Sequence, residues 1–171
     1  MNVSLIVLRI LHVGFGVFWA GSLFFMTSLL MPAVRGVGPA GGQVMRQLVV
    51  VKKLSVRLAT AAIITVLSGI ILYMMDTKLS AGAFARSRMG MVFGLGGLSA
   101  LLALIPGVGI VARTVNKVTV LGDAIAARGG PPTAEQSAEM ARLQAKIGKG
   151  SQATAGLVGI AVLCMAVARY V

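Results

Sequence analysis

The amino-acid sequence predicts an all-α integral membrane protein: a bundle of four transmembrane helices with a cytoplasmic helical hairpin between helices three and four. The chain of 171 residues is 57% hydrophobic and only 12% charged, with a mean hydropathy of +0.93. Soluble domains usually have about a quarter charged residues. The long apolar runs and the charged connections between them predict one domain, with spanning helices over about 3–34, 54–76, 89–112 and 151–170 and a hairpin over about 113–149.

The first helix contains no charged residue between Ile10 and Val34. At about 1.5 Å per residue this run is long enough to cross a hydrocarbon core of about 30 Å. The only histidine of the chain, His12, lies in it. An ionisable group at membrane depth is costly without a partner, so His12 is the first candidate for a functional site.

Glycine, proline and hydroxyl residues in the first connection and in helices two and three predict local features of the backbone and of helix packing. The Gly- and Pro-rich stretch 35–42 predicts a loop. In helix two, Thr65 and Ser68 can hydrogen-bond within their own helix or to a neighbour. In helix three, the spacing of Gly90 and Gly94 favours close approach of another helix, and Pro106 predicts a kink near the end.

The hairpin is predicted from periodicity and from a helix-start signal. Apolar residues recur at helical spacing beyond helix three, at Val111, Val115, Val118, Leu121 and Ile125. The stretch 129–132, Gly-Gly-Pro-Pro, ends this helix, and Thr133 with Gln136 has the pattern of a capping box for the next one. Gly148 and Gly150 predict a loosened join to helix four.

The charge distribution predicts the orientation. Ten of the 16 Lys and Arg residues lie in connections 35–53 and 113–149, and three lie in connection 77–88. The positive-inside rule therefore predicts a bacterial inner-membrane protein with both termini extracytoplasmic. The net charge of +12 does not indicate nucleic acid, because the basic residues flank apolar runs. The lipid bilayer is the expected partner, and a single cysteine excludes an intramolecular disulfide.

This topology places several reactive side chains in one outer layer of the bilayer. The candidates for binding a cofactor or a metal are Arg9, His12, Gly16, Trp19, Met74, Met75, Cys164 and Met165. As a first hypothesis, His12 is an axial ligand of haem b, with Gly16 giving room and Arg9 pairing with a propionate. With one histidine per chain, ligation by two histidines requires a homo-oligomer.

Three alternatives remain open. His12, Cys164 and the methionines would suit Cu(I), which prefers soft ligands, so copper transport or handling is the second hypothesis. His12 with Asp76 would suit proton or quinone handling. A packing or assembly subunit of a larger membrane complex is the non-catalytic alternative, in which His12 simply hydrogen-bonds a neighbour and the methionines fill gaps. The sequence shows no catalytic motif.

Helix one also resembles a known group. Leu8 to His12, the run Phe18-Trp19-Ala20-Gly21 and the ending Met31-Pro32-Ala33 resemble the first helix of bacterial four-helix membrane proteins. This group includes an uncharacterised integral membrane family and, more distantly, the CopD copper-resistance proteins and the HemJ-type protoporphyrinogen oxidases. The resemblance implies a four-helix bundle whose His12 binds haem or copper. HemJ-type enzymes pair that histidine with a lysine in helix three, and 89–112 has none.

Overall fold

The computed structural model describes residues 3–37 and 39–171, and all its regular elements in these ranges are helices. They are α1 (Val3–Gly36), α2 (Pro39–Arg46, followed directly by a π-helical turn, Gln47–Val51), α3 (Leu54–Leu79), α4 (Ala83–Arg86), α5 (Arg88–Arg128) and α6 (Ala134–Tyr170). Within the described residues, α1, α3, α5 and α6 are long and apolar enough to span a membrane. The predicted all-α class with four such helices is confirmed.

The four long helices pack as two close pairs. Helix α1 packs against α3 and α5 against α6, while contacts of α3 with α5 and of α1 with α6 join the pairs. The shared core consists of Trp19, Ala20, Leu23, Ala61, Ala62, Val66, Ala103 and Val158. Small residues dominate this core, which lets the backbones approach closely. Many large aliphatic side chains instead face outward, including Ile10, Val17, Leu67, Leu95 and Leu163.

Two pairs of predicted segments form continuous helices. Helix α5 continues through a π-helical stretch, Ile105–Ala112, into residues 113–128, as the apolar periodicity beyond helix three predicts, and α6 continues from Ala134 through the predicted join to helix four. Gly148 and Gly150 therefore do not interrupt α6, contrary to the expected loosened join. A Cβ at Gly150 would lie 2.8 Å from Cγ2 of Val111, so this glycine serves close packing between the two helices.

The first connection is also more helical than predicted. Helix α2 begins at Pro39, inside the stretch 35–42 that was expected to form a loop. Proline is favoured in the first turn of a helix, because its missing N–H would have no intrahelical acceptor there. Gly38, in the same stretch, lies outside the described residues. Arg46 contacts Asp123 at 3.3 Å and connects α2 to α5; both side chains are more than half exposed, so this ion pair contributes little to stability.

The capping box at the start of α6 is confirmed and provides a test of local stability. The Gln136 backbone N–H donates to the Thr133 hydroxyl, and the Thr133 backbone N–H donates to the Gln136 side chain at 3.0 Å. We expect Thr133→Ala to reduce the unfolding free energy of the hairpin by about 1 kcal/mol. Amide hydrogen exchange over the first turns of α6 measures this change. Thr133→Ser retains the hydroxyl acceptor and should show protection close to that of the unmodified chain.

Candidate functional site at the α1–α3 interface

The His12 imidazole connects α1 to α3. Its Nδ1 lies 2.8 Å from the backbone carbonyl oxygen of Thr65, and the side chain is half-buried. A carbonyl oxygen can only accept a hydrogen bond, so Nδ1 carries the proton in this contact. In the neutral ring, Nε2 then keeps its lone pair. Among the hydrogen bonds of the described residues, none involves Nε2.

Gly69 provides the space for this ring. A Cβ at Gly69 would lie 2.7 Å from Cε1 of His12 and 2.9 Å from Nδ1, which is too close for any real side chain. Gly69 is the only glycine of α3. About one turn away, a Cβ at Gly16 would lie 3.4 Å from Cγ2 of Thr65. His12 therefore packs over Gly69 and Gly16 packs over Thr65. These two contacts are four residues apart on each helix, in opposite chain directions, so they belong to the same antiparallel packing of α1 against α3.

The Thr65 carbonyl lies within a group of hydrogen-bonded hydroxyls on α3. The Thr65 hydroxyl donates to the carbonyl of Ala61 at 2.8 Å. The Ser68 hydroxyl donates to the carbonyl of Ile64 at 2.6 Å and to that of Thr65 at 3.1 Å. Thr65 and Ser68 are both buried. The acceptor of the imidazole is therefore held in a fixed, buried part of α3, which orients the ring.

The other residues of α1 that were predicted to bind a cofactor differ from His12 in their exposure and in the space around them. Arg9 is exposed, whereas Trp19 is 7% exposed and belongs to the bundle core. Gly16 is covered by Thr65. The open position is Gly14, where a Cβ would have nothing within 4 Å. Gly14 lines an open groove of about 540 Å³ between α1 and α3, and His12 is not among the residues that line this groove.

The predicted sulfur ligands divide between different helices. Cys164 and Met165 of α6 pack together against Gly96 of α5: a Cβ at Gly96 would lie 2.8 Å from Cβ of Cys164 and 3.3 Å from Cε of Met165. Met74 of α3 is exposed and Met75 is half-buried. The His12 ring contacts Thr65 and Gly69 of α3, so the imidazole and the Cys164–Met165 pair lie in different helix pairs. Within residues 3–37 and 39–171, no three His, Cys, Asp or Glu side chains form a group that could hold a metal ion.

Sequence reasoning did not assign a role in the site to Thr65 or Gly69. A signal for Gly69 was present, because a ring on an antiparallel partner needs a small residue opposite it and α3 has one glycine. Chemically, an imidazole that donates through Nδ1 can bind a metal or accept a proton through Nε2.

Comparisons of this chain with protein-family models, with curated proteins and with solved structures gave no match.

Proposed function

We propose that this protein binds haem b in the membrane, in association with electron transfer, and that Nε2 of His12 is an axial ligand of the iron. The supporting observation is the hydrogen bond from Nδ1 of His12 to the Thr65 carbonyl at 2.8 Å. Histidines that bind metals almost always donate their other ring N–H to a carbonyl or carboxylate, which fixes the tautomer and makes the ligating nitrogen more basic. When bound, haem would supply one-electron chemistry.

The surroundings of His12 fit such a ligand because a cation shares its helix face. Arg9 lies three residues before His12 on α1, so the two share a helix face. Arg9 is exposed and belongs to neither of the ion pairs of the described residues, so its charge is available to a propionate. A second axial ligand would come from a methionine or from the same histidine of a second copy, which makes a homo-oligomer part of the proposal.

Two alternatives each have an observation in their favour. Copper handling is favoured by the two sulfur side chains of Cys164 and Met165, which lie together against Gly96. That site would use α5 and α6 and would not include His12. A packing or assembly role is favoured by the same hydrogen bond that supports the haem proposal, because a hydrogen bond between two helices also stabilises α1 against α3.

The proposed orientation follows from the basic residues. Arg35, Lys52 and Lys53 lie at one end of the bundle, and so do most basic residues of the hairpin. The positive-inside rule places this end in the cytoplasm and both termini outside the bacterial inner membrane. With this orientation, His12 lies in the extracytoplasmic half of the bilayer.

The absorption spectrum of the purified protein tests the haem proposal. Protein made in haem-supplied cells should show a Soret band, and His12→Ala should abolish it. Cys164→Ser is the matched control and should keep the band, because Cys164 packs in the other helix pair. A Soret band that persists in His12→Ala would contradict the ligand assignment. A colourless protein stabilised by Cu(I), with the effect lost in Cys164→Ser, would support copper handling instead.

A further inference from the structure

A groove between α5 and α6, away from His12, has one cationic end and one apolar end. Its volume is about 510 Å³. Its lining residues include Pro106, Ile110, Ala145, Lys146, Lys149 and Ala153. We propose that this groove binds an anionic phospholipid, with the phosphate on the lysines and an acyl chain along the apolar wall. This proposal does not depend on haem binding or on the orientation of the chain.

The groove lies where α6 changes from charged to apolar. Arg142, Lys146, Lys149 and Ala153 follow one another at spacings of four, three and four residues, so they form a single stripe along the helix. The first three are cations, and the apolar part of α6 begins beyond Lys149. The polarity of α6 therefore changes in the same way as the polarity of a bilayer changes from its headgroups to its hydrocarbon core.

Close contact between α5 and α6 forms the base of the groove. A Cβ at Gly150 would lie 2.8 Å from Cγ2 of Val111, and a Cβ at Gly107 would lie 3.3 Å from Cγ2 of Thr154. Helix α5 is π-helical over Ile105–Ala112 in this region, and π-helical turns are wider than α-helical ones. Ala145 and Ala153 add only methyl groups to the facing wall, so the space beside the contact stays empty.

The cationic end lacks a full set of acidic partners. Lys146 and Lys149 are exposed, and neither forms an ion pair or a side-chain hydrogen bond in the part of the chain that the structure describes. Arg142 pairs with Glu139 at 2.7 Å. Three cations and one acid leave a net charge of +2 at this end. The guanidinium of Arg35 adds to it, since its Nη2 lies 3.4 Å from where a Cβ of Gly148 would be.

These properties favour a lipid over a soluble anion. Basic pockets between transmembrane helices bind the headgroups of anionic lipids. Free phosphate would use Lys146 and Lys149 but would leave the apolar wall formed by Pro106, Ile110 and Ala153 uncovered. An anionic phospholipid covers both ends, and phosphatidylcholine lacks the net negative charge that the lysines require.

Lipid titration of the purified full-length protein in neutral detergent, read by native mass spectrometry, tests the proposal. The probes are phosphatidylglycerol, phosphatidylcholine and inorganic phosphate. We expect phosphatidylglycerol to bind best, and Lys146→Ala with Lys149→Ala to weaken it about fivefold per lysine, or about 30-fold together. The control Lys52→Ala with Lys78→Ala removes the same charge from exposed positions outside the groove and should weaken binding less than about twofold.

Two further variants test the groove itself. Ala153→Phe fills the apolar wall without changing charge and should reduce phosphatidylglycerol binding about tenfold. Glu139→Gln removes the acid that pairs with Arg142 and should strengthen binding. An equal loss in the control double variant, unchanged binding in Ala153→Phe, or competition by inorganic phosphate at the affinity of the lipid would each overturn the proposal.

Discussion

Replacing Gly69 with alanine is expected to displace the His12 imidazole and, if the haem proposal is right, to lower haem affinity about 10- to 100-fold, the usual effect of losing the group that orients a ligand. The added Cβ would lie 2.7 Å from Cε1 and 2.9 Å from Nδ1. Ring and Cβ cannot both keep these positions, and the ring is the easier to move because it rotates about two side-chain bonds. Its rotation breaks the hydrogen bond to the Thr65 carbonyl.

The single histidine makes this prediction measurable without any cofactor. In protein labelled with ¹⁵N-histidine, every imidazole signal comes from His12. In its neutral form, the ring of the unmodified chain should carry its proton on Nδ1 and not on Nε2, because the Thr65 carbonyl can only accept. Gly69→Ala should lose this preference, and the haem content of the same preparation shows whether ligand orientation matters for binding.

Gly14→Ala is the control for Gly69→Ala. Gly14 lies on α1 near His12, and an added Cβ would have nothing within 4 Å, so the imidazole signals should not change. The predicted geometry is contradicted if Gly69→Ala leaves these signals as they are, or if the unmodified ring carries its proton on Nε2. Normal ring signals without a Soret band in the unmodified protein would instead leave His12 as a residue that packs α1 against α3.

The sequence predicts the helices of this protein well because each has a strong local cause. A run such as Ile10 to Val34, with no charge, has few alternatives to a spanning helix. The hairpin limb that starts at Thr133 has a capping box, which the structure confirms in both directions. The errors concern glycine and proline: Pro39 begins a helix and Gly150 lies within one. Proline suits the first turn of a helix because its missing N–H would have no acceptor there. Gly150 allows close packing of α6 against Val111, so it lies within the helix and does not end it.

The site is harder to predict than the helices, because the order of the helices indicates how deep a side chain lies in the membrane but not which neighbouring helix it faces. The order of helices places His12 and Cys164 near the same level, but it does not state which neighbour each side chain faces. A spanning helix is apolar on most of its surface, so the hydrophobic pattern that orients a helix in a soluble protein is weak here. The structure pairs His12 with Gly69 and Cys164 with Gly96, so the nearest contacts of these two side chains belong to different helix pairs.

Gly96→Ala is expected to separate α5 from α6 and to destabilise the bundle by about 1 to 3 kcal/mol, the usual cost of overpacking a core. The new Cβ would lie 2.8 Å from Cβ of Cys164 and 3.3 Å from the carbonyl oxygen of Ala161. Both atoms are fixed to the backbone, so rotation of a side chain cannot relieve the contact. Gly97→Ala is the matched control, because its added Cβ would have nothing within 4 Å.

The single tryptophan and the single cysteine of the chain can be used to measure the effect of Gly96→Ala. Trp19 is the only tryptophan and lies in the core, so its fluorescence follows unfolding in mixed micelles, and Cys164 is the only thiol, so its labelling rate follows the opening of the α5–α6 contact. Gly96→Ala should unfold earlier and label faster, while Gly97→Ala should do neither. Equal behaviour of the two variants would contradict the packing of Gly96.

Gly96→Ala and Gly69→Ala together distinguish the two cofactor hypotheses. Gly69 contacts His12, and Gly96 contacts Cys164 and Met165 in the other helix pair. A haem site on His12 therefore predicts that folded Gly96→Ala protein keeps its cofactor and that Gly69→Ala loses it. A copper site on the two sulfur side chains predicts the opposite result. Since the atoms within 4 Å of Gly69 belong to α1 and those within 4 Å of Gly96 belong to α6, a variant that loses binding identifies which helix pair holds the ligand.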